Sequence, residues 1–303
     1  MFRGFVGCGT ALVTPFRKDL SLDEETMRRL VRRQIAAGIN FVVPCGTTGE
    51  SPTLTHEEHL RVVAITLEEA KGKVPVLAGA GGYDTHHVIE MAREAEKMGA
   101  DGILSVTPYY NKPTQEGLYH HFKAIAAATS LPIILYNVPP RTNVNIDPPT
   151  LRRLSEIENI IGVKEASGNI SQMTQVMQQV PEEFVVLSGD DALTLPLAAM
   201  GGRGIISVAS NVIPAEMTQL AQLCLAGNFA EARAMQRKWL PLMEVNFIET
   251  NPTPVKAAMA EMGLLEPVFR LPLVPPRTEN LAKIRTVLES LAILERVHVA
   301  NRS

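Results

Sequence analysis

Short runs of β-branched and other apolar residues alternate along the chain with longer amphipathic stretches. A period of two giving way repeatedly to a period near 3.6 predicts βα units that feed a parallel sheet. Eight strands are expected, at Gly9 to Thr14, Phe41 to Cys45, Pro75 to Gly79, Gly102 to Val106, Ile133 to Asn137, Ile160 to Lys164, Phe184 to Ser188 and Gly204 to Ser207. Ser21-Leu22-Asp23-Glu24 and Thr55-His56-Glu57-Glu58 carry the capping-box pattern of helix starts. Ala37-Gly38, Lys71-Gly72 and Met98-Gly99 carry the glycine of helix ends. Eight units within roughly 225 residues fit a (β/α)8 TIM barrel, typically about 250 residues long, better than a doubly wound sheet of about six strands. The expected division is a catalytic barrel over residues 1–227 and a C-terminal helical extension over 228–303. Asn251-Pro252-Thr253-Pro254 and the proline-rich Leu271 to Pro276 should break that extension, whose faces are too apolar for a free tail.

Composition narrows the function. The chain has 303 residues, is 46% hydrophobic and 20% charged, and carries a formal net charge of -3, which provides no basic surplus for nucleic acid. Met1-Phe2-Arg3-Gly4 leads directly into strand-like sequence without the apolar core of a signal peptide, so a cytoplasmic protein with no membrane association is expected. Cys8, Cys45 and Cys224 are widely spaced in apolar contexts that suit packing in a reducing compartment. Cys45 stands before a glycine turn, but no histidine is placed to activate it as a nucleophile.

In a barrel of this type the reactive groups gather at the C-terminal ends of the strands. There the sequence places Gly46-Thr47-Thr48-Gly49-Glu50-Ser51, Thr107-Pro108-Tyr109-Tyr110, Tyr136-Asn137 leading to Arg141, and Lys164. Lys164 ends an apolar run, where poor hydration disfavours an ammonium and makes the amine a candidate nucleophile, although a rim lysine paired with a carboxylate gives the same pattern. An amine of this kind attacks the carbonyl of a 2-oxo acid, and the iminium it forms is an electron sink that needs no metal or other cofactor. Tyr136, if strand alternation turns it inward, supplies a phenol that passes protons without locking the lysine as an ammonium; a packed core tyrosine is the plain alternative. The Gly46 to Gly49 turn offers backbone N–H groups and two threonine hydroxyls to a carboxylate, or is simply a turn. Arg141, on the stiff loop after Pro139-Pro140, either receives a second carboxylate or makes a surface ion pair.

Other chemistries find less support. His56-x-x-His59, His86-His87 and His120-His121 fall on predicted helices without a zinc signature and are expected to be solvated or to form a regulatory surface. Gly79-Ala80-Gly81-Gly82 lacks the full dinucleotide fingerprint, and no Walker loop is present. Gly189-Asp190-Asp191, after the seventh strand, brings two carboxylates to the place where such barrels usually bind phosphate, which argues against sugar-phosphate substrates.

Gly46-Thr47-Thr48-Gly49-Glu50, Tyr136-Asn137-Val138-Pro139-Pro140-Arg141-Thr142 and Gly162-Val163-Lys164-Glu165-Ala166 together resemble the dihydrodipicolinate synthase (4-hydroxy-tetrahydrodipicolinate synthase) family. That family is part of the pyruvate-dependent class I aldolase superfamily, which also contains N-acetylneuraminate lyase. The likeness runs from Phe2 to about Leu294 and takes in Thr107-Pro108-Tyr109-Tyr110-Asn111, Leu187-Ser188-Gly189-Asp190-Asp191 and Asn251-Pro252-x-Pro254-Val255-Lys256. It implies condensation of pyruvate with L-aspartate 4-semialdehyde, on the diaminopimelate route to lysine. Lys164 matches the Schiff-base lysine, and Tyr136, Thr47 and Tyr110 match a proton relay in which Tyr110 enters from the neighbouring subunit of a tight dimer. Thr48 and the backbone at Ile206 match the pyruvate carboxylate site, Gly189 lies beside it, and Arg141 matches the receptor of the second substrate's carboxylate. A homotetramer built as a dimer of dimers is implied as well.

Ser51, His56, His59 and Tyr109 match positions that line an effector cleft for lysine, but His87 stands where lysine-inhibited members have an acid and Tyr83 where an asparagine is frequent. Weak or absent inhibition by lysine is therefore expected, because an imidazole in place of a carboxylate removes the charge partner of an ammonium. Two alternatives remain open: a related aldolase for another aldehyde, such as a 2-keto-3-deoxy sugar acid aldolase or N-acetylneuraminate lyase, and a barrel that binds 2-oxo acids without turnover. Sialic acid lyases tend to place Ser-Thr where this chain has Thr47-Thr48. A sensor has no use for the proton relay.

Overall fold

The computed structural model describes residues 4–294. Met1 to Arg3, part of the leader reading, and residues 295–303 of the expected extension lie outside the described residues. Eight strands form one sheet: β1 (Gly7–Ala11), β2 (Phe41–Val43), β3 (Leu77–Gly79), β4 (Gly102–Val106), β5 (Ile133–Asn137), β6 (Ile160–Glu165), β7 (Val185–Ser188) and β8 (Gly204–Ser207). They pair in parallel in the order β2-β1-β8-β7-β6-β5-β4-β3, and a parallel bridge between Val42 and Val76 joins the two ends. The sheet thus closes as the expected (β/α)8 TIM barrel.

Helices α1 (Glu24–Ala36), α2 (His56–Ala70), α3 (Thr85–Met98) and α4 (Gln115–Ala126) follow the first four strands. After β5 come the single turn α5 (Pro139–Thr142) and α6 (Pro148–Ser155); α7 (Ile170–Gln179), α8 (Thr194–Ala199) and α9 (Pro214–Leu225) follow the remaining strands. Three more helices, α10 (Phe229–Val245), α11 (Thr253–Glu261) and α12 (Thr278–Ser290), complete the described chain and separate at the two proline-rich breaks. Among the described residues no helix is long and apolar enough to cross a membrane.

Strand alternation divides the core into two layers. Ile134, Tyr136, Leu104, Leu187, Ile206, Phe5 and Phe41 belong to an inner cluster, whereas Ile133, Leu135, Ile103, Val163 and Val186 belong to the layer beneath the helices. Trp239 and Leu242 of α10, Val255 and Met259 of α11, and Ile284 and Leu288 of α12 join that outer layer, so these helices share the barrel's core.

Local signals are met with two corrections. Thr55 and Glu58 form the reciprocal capping box, and Gly38, Gly72 and Gly99 take φ of 81, 70 and 85°, the left-handed conformation that favours glycine. At α1 the cap is Asp23, which accepts from Thr26 N at 3.1 Å. Ser21 lies too far upstream, and its hydroxyl donates to Asp19 Oδ1 instead. The first strand begins at Gly7 and stops at Ala11, because beyond it the backbone leaves the ladder: Val13 N donates to Asn211 Oδ1 and Thr14 Oγ1 to the Gly49 carbonyl.

One polar contact ties the extra helices to the barrel. Lys256, on α11, is fully buried and donates to Glu50 Oε1 at 2.5 Å, just beyond the turn that follows β2. Its Nζ also lies 4.6 Å from the Phe16 ring centroid and 5.2 Å from that of Phe269. Burial pulls the Lys256 pKa down while the Glu50 charge opposes it. Lys256→Met should cost about 3–5 kcal/mol, the penalty for stranding one half of a buried ion pair. Glu50→Gln combined with Lys256→Met should recover more than half of that loss in urea denaturation, and additive losses in the double variant would contradict it.

Candidate active site

Register places the two central groups side by side. Tyr136 pairs with Lys164 across β5 and β6, and the two residues are only 6% and 5% exposed. Lys164 Nζ lies 4.2 Å from the centroid of the Tyr136 ring. The adjacent carboxylate, Glu165, has the opposite strand phase and accepts from Asn137 Nδ2 at 2.9 Å and Ser167 N at 2.8 Å, so it does not neutralise the amine. Tyr136 points into the barrel, as expected.

The stem of Lys164 crosses a glycine. A Cβ at Gly189 would stand 3.0 Å from Lys164 Cε and 2.6 Å from Ala166 Cβ, closer than real side chains pack, so any residue but glycine would push the amine aside. The Gly189 position is fixed by its N–H, which donates to the Glu165 carbonyl at 2.8 Å.

After β2 the chain makes two 3-10 turns, Thr47–Gly49 and Ser51–Thr53, the first flanked by left-handed Cys45 and Glu50 at φ 55 and 53°. The turn is pinned twice: Thr14 Oγ1 donates to the Gly49 carbonyl at 2.6 Å, and Thr48 Oγ1 accepts from Asn251 Nδ2 at 2.9 Å. Thr48 is 2% exposed. Ile206, fully buried on β8, shares the inner cluster with Tyr136. Arg141 reaches back from α5 and donates to the Asn251 carbonyl at 3.0 Å.

Tyr110 stands apart. Its backbone has φ 69° and its side chain is 92% exposed, on the loop after β4. Among the described residues no hydrogen bond joins Tyr110 to Thr47 or Tyr136.

Asn251 escaped the residue-by-residue sequence reading, in which Asn251-Pro252 marked only a helix break. A lone asparagine before proline carries no signal that it will meet Thr48 and Arg141. Of the two carboxylates after β7, Asp191 is turned onto the end of β8, where it accepts from Ser207 Oγ, Val208 N and Ala209 N at 2.5, 3.1 and 2.9 Å. Burial raises its pKa to about 6, against the pull of those donors. Asp190 caps the following turn through Ala192 N.

The expected effector-cleft residues Ser51, His56, His59, Tyr83, His87 and Tyr109 all line one cavity of about 650 Å³. His59 Nε2 is 2.9 Å from the Gly79 carbonyl, and burial lowers its pKa. His56 Nε2 meets Glu94 Oε1 at 3.1 Å and its ring lies 6.3 Å from that of His87; Tyr83 and Tyr109 meet edge to face at 5.3 Å. The expectation of solvated histidines fails at His59 and at His121. His121 is buried beside Thr85 Oγ1 at 2.8 Å and pushed down to about 4, because each helix turns one histidine of the pair toward the core. Cys8, Cys45 and Cys224 are buried free thiols, and burial raises the pKa of each. Among the described residues no group of three or more His, Cys, Asp or Glu side chains is arranged to hold a metal ion.

The model of the dihydrodipicolinate synthetase family matches residues 4–291. The 4-hydroxy-tetrahydrodipicolinate synthase of Koribacter versatilis (strain Ellin345) is 53% identical over 295 residues, covering 97% of this chain and 98% of its own. The crystal structure of dihydrodipicolinate synthase from Aquifex aeolicus superposes with a TM-score of 0.94 at 45% identity, covering 95% of this chain and 99% of that one. The chloride-inhibited dihydrodipicolinate synthase from Acinetobacter baumannii, complexed with pyruvate, gives a TM-score of 0.94 at 41% identity, with 95% and 99% covered. With its barrel, its lysine–tyrosine pair and its full-length likeness to these proteins, the chain belongs to the dihydrodipicolinate synthetase family.

Proposed function

We propose that the chain is a 4-hydroxy-tetrahydrodipicolinate synthase, a lyase that condenses pyruvate with L-aspartate 4-semialdehyde through a Schiff base on Lys164. The observation that carries this reading is the buried amine beside Tyr136, with no carboxylate of the described residues paired to it and with Gly189 giving it room.

The amine of Lys164 adds to the C2 carbonyl of pyruvate, and loss of water from the carbinolamine leaves an iminium. Loss of a methyl proton gives the enamine, whose carbon attacks the aldehyde carbonyl while the new alkoxide takes up a proton. The α-amino group of the second substrate then attacks the iminium carbon, closing the ring and expelling the Lys164 amine, which returns the free lysine. Tyr136 is the proton carrier next to the nitrogen, with Thr47 and a neighbouring subunit's copy of Tyr110 completing the relay. Thr48 and the backbone at Ile206 hold the pyruvate carboxylate near Gly189, and Arg141 receives the carboxylate of the second substrate. An aldehyde that brings a carboxylate suits this arrangement better than a neutral sugar aldehyde, and a non-catalytic binder would not need Tyr136.

The same reading extends to organisation. The division falls after residue 227, with the catalytic barrel before it and the extension after it. The exposure of Tyr110 supports self-association as a dimer of dimers, with each site completed across the tight interface. Buried free thiols support a reducing, cytoplasmic setting. The six cleft residues form an effector site in which His87 weakens the hold on a lysine ammonium.

Borohydride reduction in the presence of pyruvate should attach one three-carbon adduct, mapped by mass spectrometry to Lys164. Lys164→Arg should abolish the adduct, and Tyr136→Phe should slow turnover by about 10²–10⁴-fold. An adduct on another lysine, or none, would reject the mechanism. In steady-state assays L-lysine should leave the wild type active at millimolar concentration, while His87→Glu should introduce inhibition; millimolar-or-better inhibition of the wild type would show the cleft reading to be wrong.

A further inference from the structure

We infer that Asn251, contributed by the segment between α10 and α11, is a positioning residue for the pyruvate carboxylate. The inference deepens the reading above and rests on it. Asn251 is 5% exposed and touches two groups of the site at once. Its Nδ2 donates to Thr48 Oγ1 at 2.9 Å, and its carbonyl accepts from Arg141 at 3.0 Å.

The direction of the first bond matters. A threonine hydroxyl has one hydrogen to give and two lone pairs to fill. Because Asn251 fills a lone pair, the Thr48 hydrogen is left for another acceptor. The amide thereby makes Thr48 a donor, which is the role a carboxylate ligand requires. The Oδ1 atom of Asn251 is buried without a hydrogen-bond partner among the described residues, so the side chain is not held there by its own full satisfaction. What holds the segment is Lys256, five positions on, whose buried pair with Glu50 ties the same stretch to the same β2 turn. Two contacts, Asn251 to Thr48 and Lys256 to Glu50, thus lock the two segments in one register.

Three variants separate positioning from general packing. Asn251→Ala removes the donor but keeps the backbone carbonyl that Arg141 uses. Asn251→Asp keeps the shape but replaces the donor by an acceptor, which captures the Thr48 hydrogen. Glu249→Ala disturbs the same segment, since Glu249 accepts from Arg277 N and Asn280 Nδ2, but touches neither Thr48 nor Arg141. The pyruvate concentration for half-maximal borohydride trapping, and the KM for pyruvate, should rise about tenfold in Asn251→Ala and further in Asn251→Asp, the size expected when a hydrogen bond to a charged group is weakened. The KM for the aldehyde and kcat should change by less than about threefold in Asn251→Ala, because the Arg141 contact survives. Glu249→Ala should leave both KM values at wild-type levels. Equal pyruvate dependence in wild type and Asn251→Ala, or an equal rise in Glu249→Ala, would overturn the inference. Absence of any adduct in the wild type would instead remove the reading beneath it, so the two failures are distinct.

Discussion

An amine buried on an inner barrel position, with the carboxylate of its own strand turned to the opposite face, is the constraint around which the site is built. Burying an ionisable group is costly unless its charge is paired or its neutral form is used. Here the sheet register sets the Tyr136 ring beside Lys164, and strand phase sends Glu165 to the other face, where Asn137 and Ser167 satisfy it. Moving β6 by one residue would exchange the two, putting a carboxylate in the barrel and the lysine among the helices. The bare Cα of Gly189 completes the geometry, because the lysine stem occupies the space a side chain would take.

A barrel holds its strands rigidly, but the loops at their C-terminal ends need anchors of their own. In this chain the segment after the barrel provides several. Lys256 pairs with Glu50, and Asn251 meets Thr48 and Arg141. Arg270 grips Glu58 and the carbonyls of Leu20 and Thr53 while its guanidinium lies 4.1 Å from the Phe16 ring centroid. The turn carrying Thr47 and Thr48 is therefore clamped between β1, through Thr14, and the extension. Stability and site geometry draw on the same contacts, because the buried Lys256–Glu50 pair and the Asn251–Thr48 bond hold the same turn.

Much of this was legible in the chain. Apolar periodicity located all eight strands, since parallel barrel strands are short apolar runs punctuated by glycine and by helix caps. Lys164, Tyr136 and Thr48 could be picked out because each stands at a strand end, where this fold gathers its chemistry. What sequence could not supply was the partner of a polar residue on another element. Lys256 reads as an ordinary helical lysine, and its burial depends on Glu50, 206 positions away. Ser21 looked like a cap because the local pattern fits, but Asp19 and Asp23 compete for the same roles and tertiary placement of α1 decides between them. His59 and His121 were misjudged for the same reason: the helix face turned to the core is set by packing, and a histidine with one satisfied nitrogen tolerates it.

The distribution of charge around the mouth explains how a chain of formal net charge -3 can serve substrates that are themselves anions. The carboxylates nearest the site in sequence are engaged elsewhere: Glu50 with Lys256, Glu165 with Asn137 and Ser167, Asp190 with Ala192 N, Asp191 with Ser207 and two backbone amides. Among the described residues neither Lys164 on β6 nor Arg141 on α5 is therefore paired with an acid. A guanidinium in place of Thr48 would bind a carboxylate more tightly, but a fixed positive charge close to Lys164 would add electrostatic work to every step that makes the nitrogen cationic. Neutral hydroxyl and backbone donors avoid that penalty. Arg141, the proposed receptor of the second carboxylate, stands on a separate element, α5, where its charge is held at the Asn251 carbonyl.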